Sequence, residues 1–118
     1  MPSVQTLSAW VTKTNQRVVL GHFKNPREVL RVRIEVSTAF NGSGTDEIRV
    51  GTDDDNDAYA TLTDVASTGI KTPTLGTGVG FDKTERNVVA EYVNGGGEPT
   101  TGSALVTVEF CNSPPQVT

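Results

Sequence analysis

The segment VLRVRIEVSTAF, residues 29–40, decides how the rest of the chain is read. Leu30, Val32, Ile34, Val36, Thr38 and Phe40 alternate with Arg31, Arg33, Glu35, Ser37 and Ala39. That is a period of two, the repeat of a strand with one buried and one wet face. A helix would turn Leu30 and Val32 onto different sides, so the helical reading fails. NGSG at 41–44 is a turn signal, and DEIRVG at 46–51 reads as the returning strand with Ile48 and Val50 inward.

The pattern continues in both directions. LSAWVTKT (7–14) and RVVLGHF (17–23) are strand-like, and so is DAYATLTDV (57–65). TGIKTPTLGTGVGF (68–81), with Gly69, Pro73, Gly76, Gly78 and Gly80, predicts short extended pieces and turns. RNVVAEYV (86–93) sets Val88, Ala90 and Tyr92 against Val89, Glu91 and Val93. SALVTVEF (103–110) sets Ala104, Val106, Val108 and Phe110 against Leu105, Thr107 and Glu109. KNPREV is the one place that admits a short helical turn, and nothing shows ten residues at helical period. Seven or eight short strands with Gly-rich turns predict an all-β fold, an antiparallel β-sandwich, with the jelly roll among its forms. The expected organisation is residues 1–16 as an N-terminal arm or first strand, 17–112 as the sandwich, and 113–118 as a tail containing Pro114 and Pro115.

Composition bounds the function. The 118 residues suit one domain, with 35% apolar and 20% charged side chains. The net charge of −4, with ten scattered Lys and Arg, predicts no nucleic-acid surface. No apolar run approaches the roughly 20 residues of a membrane span, so no membrane partner is expected. MPSVQTLSAW lacks the basic start and apolar block of a secretory signal, and the single Cys111 fits folding in a reducing compartment.

The candidate sites are few. Asp53, Asp54, Asp55 and Asp57 crowd between two strands, and Asp53, Asp55, Asp57 and Asp64 fall at calcium-loop offsets 1, 3, 5 and 12. Ala58 stands where that loop needs Gly, the flanks are strands, and Asp64 lacks the reach of Glu. The expectation is a loop held by water, with no metal and no cofactor. His22 lies in an apolar strand pattern, while Cys111 is read as following the last strand, so a Cys–His nucleophile is disfavoured and no catalytic residue is assigned. GTGVGF (76–81) lacks the Lys-Ser/Thr and the helix of a phosphate loop, and NGGG (94–97) reads as a hairpin loop with positive-φ positions. Trp10 either caps one end of the core or anchors an N-terminal arm on a partner.

A composite pattern runs through STAFNG, DEIRVGTDDDNDAYA, TDVASTGI and ERNVVAEYVNGGGEPTTGSALVTVEF. Over about residues 29–110 it resembles small virion structural proteins of tailed bacteriophages, most of all capsid decoration or cement proteins. The resemblance implies a β-sandwich without catalytic residues, assembled in the bacterial cytoplasm into the virion. It also implies a homotrimer that binds the major capsid protein and stabilises junctions between shell subunits. Val4, Leu7 and Trp10, in the segment outside the recognised pattern, are the expected capsid or oligomer contacts. Apolar residues on both faces, as at Val88 and Val89 or Leu105 and Val106, add a reason to expect association. The alternative is a tail, fibre or glycan-binding module using the Asp53–Asp57 loop with Tyr59.

Overall fold

A computed structural model describes residues 4–112; the expected tail at 113–118 and the first three residues of the expected arm lie outside the described residues. Among the described residues nine strands form: β1 Val4–Thr12, β2 Arg17–Phe23, β3 Arg27–Thr38, β4 Asp46–Thr52, β5 Ala60–Asp64, β6 Gly69–Lys71, β7 Gly80–Asp82, β8 Arg86–Asn94 and β9 Ser103–Asn112. One sheet runs β1-β9-β3-β6, with β7 also on β3, and the other runs β2-β8-β4-β5. Every pairing is antiparallel. Counted as one interrupted strand, β6 and β7 complete an eight-strand order in which the chain alternates between sheets as a jelly roll does. The all-β sandwich read from the period of two is therefore the fold.

Both sheets turn their alternating apolar residues into one core. Ile34, Val106 and Ala104 from the first sheet meet Ile48, Val50, Val88 and Ala90 from the second, all fully buried. Each such Val or Ile contributes roughly 1.5–3 kcal/mol relative to exposure. Phe40 stacks on Tyr92 at a centroid distance of 4.7 Å and closes one end of this core. Phe23 meets Phe110 edge-on at 4.7 Å.

The founding strand departs from its sequence pattern at one point. Leu30 is expected in the inward row, yet it is half-buried, while Val29 and Arg27 point in. The register of β3 against β9 slips between Val29 and Arg31, so Leu30 is the extra residue of a bulge. Before the bulge the odd positions face the core; after it, the even ones do. KNPREV, which admits a short helical turn, forms none: residues 24–26 link β2 to β3, and Arg27 already belongs to β3. Its guanidinium is fully buried, lies 4.6 Å over the Phe23 ring, and donates to the Asp82 carbonyl at 3.0 Å. Only Nη1 finds carbonyl acceptors, at Asp82 and Asn25, while Nε and Nη2 are buried without a hydrogen-bond partner among the described residues.

Two further expectations change. Cys111 lies inside β9, not beyond it. The glycines of NGGG take no positive φ; those angles fall at Gly44, Gly69, Gly80 and Gly102. Gly95 and Gly96 instead let two loops touch, since a Cβ there would run into Thr45 Oγ1 and the Ser43 carbonyl. The reason for Gly is close approach rather than backbone handedness.

Candidate functional site

The acidic loop is built onto the outside of the β2-β8-β4-β5 sheet. Gly51 makes this possible: a Cβ there would collide with the backbone of Asp55, Asn56 and Ala58, which cross directly above it. The turn closes on itself, with Thr52 N–H donating to the Asp55 carbonyl at 2.8 Å and Asp55 N–H to Thr52 Oγ1 at 3.0 Å. Side chains of the protein, which the expectation of a water-held loop did not include, hold two of the acids. Asp53 accepts from Arg17 at 3.0 Å and from Asn87 at 2.6 Å, and Asp54 accepts from Arg86 at 3.0 Å. The Asn87 hydrogen bond, followed by Arg17, keeps the Asp53 carboxyl below its ordinary value of 3.8. Asp55 and Asp57 are exposed. Among the described residues no cluster of three or more His, Cys, Asp or Glu has the arrangement to hold a metal ion. Guanidinium groups from distant strands do what the sequence left to water, and no local signal could have named them.

Arg86 continues the network. Its Nε lies 3.1 Å from Asp82 Oδ2, and Arg27 Nη2 approaches the same oxygen at 3.8 Å. Burial raises the Asp82 carboxyl, but the Thr84 N–H together with Arg86 and Arg27 outweighs it, leaving Asp82 below 3.8. Tyr59 is the wall between this network and the core; burial pushes its hydroxyl up. On the opposite end of the sandwich, burial and a hydrogen bond to Asp46 push the Tyr92 hydroxyl up to about 12. These are ties between strands, not a reacting pair. His22 bonds Asn87 at 2.8 Å on the outside of one sheet, and Cys111 lies on the outside of the other, so the two never meet. Gly76 and Gly78 donate to the Tyr59 and Ala58 carbonyls at 3.0 and 2.7 Å and serve the loop packing.

The outer face of the β1-β9-β3 sheet is different. Residues directly opposite in an antiparallel ladder share a face. One row is Val4, Cys111, Glu28 and Phe81; another is Trp10, Leu105, Glu35 and Ile70. Between them lie Thr6, Glu109 and Arg31, then Ser8, Thr107 and Arg33. Arg31 pairs with Glu109 at 2.7 Å. Val4, Trp10, Ile70 and Phe81 are 51–62% exposed, so two rows, each with large apolar side chains around one glutamate, flank a polar middle and face solvent. Trp10 therefore does not cap the core.

Of the three expected contact residues, Val4 and Trp10 share this outer face. Leu7 points the other way and packs behind β1 against Gly21, where a Cβ would come within 2.9 Å of it. Val89, expected to need cover from a neighbour, is buried within its own chain beside Val19 and Gly51.

The fold is shared with chains from phage capsids. A chain of the cyanophage Pam1 capsid asymmetric unit aligns with a TM-score of 0.73 and 19% identity, over 95% of this chain and 86% of that one. A chain from the acidic stable capsid structure of Helicobacter pylori bacteriophage KHP30 aligns at 0.70 and 20% identity, over 100% and 94%. One from the capsid of Ralstonia phage GP4 aligns at 0.63 and 10% identity, over 97% and 86%. No protein-family model and no curated protein matches the sequence.

Proposed function

We propose that this chain is a structural protein of a phage virion, and within it a decoration or cement protein bound outside the shell at junctions of the major capsid protein. The observation that carries the reading is the open face of the β1-β9-β3 sheet, with Val4, Trp10, Ile70 and Phe81 exposed on a jelly roll that otherwise fills its own core. Four large apolar side chains on one face are what a docking surface needs. The shared fold with chains of three phage capsids supports the same reading. The work is mechanical: added contact area across shell seams resists the pressure of packaged DNA.

The glycan-binding alternative loses its platform. Tyr59 and Tyr92 are buried at 1% and 4% exposure, which leaves Trp10 as the one exposed Trp or Tyr, far from the acidic loop. For assembly, the resemblance supplies a homotrimer, and the residues of the β1 edge favour a twofold contact. The test of the virion role is protein quantification in purified particles together with rebinding to stripped shells. Hundreds of copies per particle, and loss of rebinding in Phe81→Glu, which lies outside β1, support cement. A few copies per particle, or none, overturn it.

A further inference from the structure

Sheet edges are normally guarded against strand addition by charge, proline, bulges or shortness. Three of the four flanks of this sandwich follow that rule. β2 carries Arg17 and a register break between Val19 and Gly21. β5 ends on Asp64 and its pairing with β4 breaks between Ile48 and Val50. β6 and β7 are three residues each. β1 has none of these. Its nine residues, VQTLSAWVT, contain no charge and no proline, and they pair with β9 without a break.

The turn after β1 fixes which backbone groups are free. Lys13 N–H donates to the Gly102 carbonyl, on the β9 side, while Thr12 N–H turns away to the Asn15 carbonyl. Backbone direction alternates along a strand. Odd-numbered residues of β1 thus bond β9, and Val4, Thr6, Ser8 and Trp10 direct their N–H and C=O groups to the open edge.

We propose that β1 pairs antiparallel with β1 of a second copy of this chain, about a twofold axis at Leu7. In that register Val4 faces the partner's Trp10, and Thr6 faces the partner's Ser8. Each such pair exchanges two hydrogen bonds, and these four residues are the ones with free groups. Val4 and Trp10, 55% and 51% exposed, become an aromatic–β-branched cross-strand pair, formed twice by symmetry. Thr6 and Ser8 become a hydroxyl pair, also formed twice. No like charges meet, because β1 has no charge. Shifting the register by one residue would oppose free groups to bonded ones, and shifting by two would separate Trp10 from Val4. The self-complementarity therefore belongs to one register, and the two β1-β9-β3 sheets become continuous. This contact stands independently of the virion role.

The experiment is native mass spectrometry and cysteine crosslinking of the full chain in a Cys111→Ser background. A dimer at micromolar concentration is expected, and Trp10→Ser weakens it by at least about tenfold. Leu7→Cys should crosslink to itself, since the paired positions fall within disulfide reach. Thr6→Cys mixed with Ser8→Cys should form the mixed disulfide, while neither does so alone; this second pair does not disturb the inward Leu7. A monomeric or trimeric mass, or self-crosslinking of Thr6→Cys without the mixed product, overturns the proposal.

Discussion

The two outward faces of the sandwich have been treated in opposite ways. Over β2-β8-β4-β5 the chain covers itself. Gly51 admits the acidic loop, Arg17 and Arg86 hold its carboxylates, and Arg49 pairs with Glu91 at 2.7 Å. Over β1-β9-β3, Arg31, Arg33 and Glu109 hold the middle, one glutamate interrupts each outer row, and Trp10, Val4, Ile70 and Phe81 are left in water. Val19 and Leu62, on the two edge strands of the first of these sheets, are exposed as well, so the faces differ in arrangement: on one, ion pairs and the acidic loop cover the middle, and on the other, four large apolar side chains stand in two rows.

The largest expected effect tests the shared interior beneath the two faces. Ile34→Ala and Ile48→Ala, one from each sheet and both fully buried, should each cost about 2–5 kcal/mol. Urea unfolding reads both. A loss below about 1 kcal/mol at either position would remove that sheet from the shared core.

Next comes the sealed face. Gly51→Val forces the loop off its seat and should cost about 1–3 kcal/mol, whereas Ser8→Val on the open face should stay within about 0.5 kcal/mol. Equal losses in thermal melts would erase the contrast between the faces.

Asp82 gives the pH dependence. Its carboxyl is lower in the fold than its ordinary 3.8, so the stability it contributes is present above 3.8 and is lost as pH falls through the lower folded-state value. Asp82→Asn should destabilise the chain near neutrality and flatten the acid limb of a stability–pH curve. An acid limb unchanged from wild type would remove Asp82 from the network.

The smallest effect is at the surface. Arg17→Ala breaks an exposed pair and should cost about 0.2–1 kcal/mol, with the difference shrinking in molar salt. A larger, salt-insensitive loss would show that the loop depends on Arg17 packing rather than charge.

Periodicity and turn signals were enough for the fold class. The alternation in residues 29–40, 86–93 and 103–110 specified strands and, Leu30 apart, their inward sets, because successive side chains of a strand point to opposite faces. Glycine clusters correctly marked the turns. What periodicity could not carry was phase across a bulge: Leu30 and Val29 are both apolar, so only pairing with β9 chose between them. The acidic loop was visible as four carboxylates, but Arg17 and Arg86 lie 36 and 32 positions from the acids they hold, and nothing local couples such distances. Trp10 was legible as a large aromatic near one end of the sequence. Whether it faced core or solvent was decided by the parity of β1 against β9, a relation that exists only once the strands have paired.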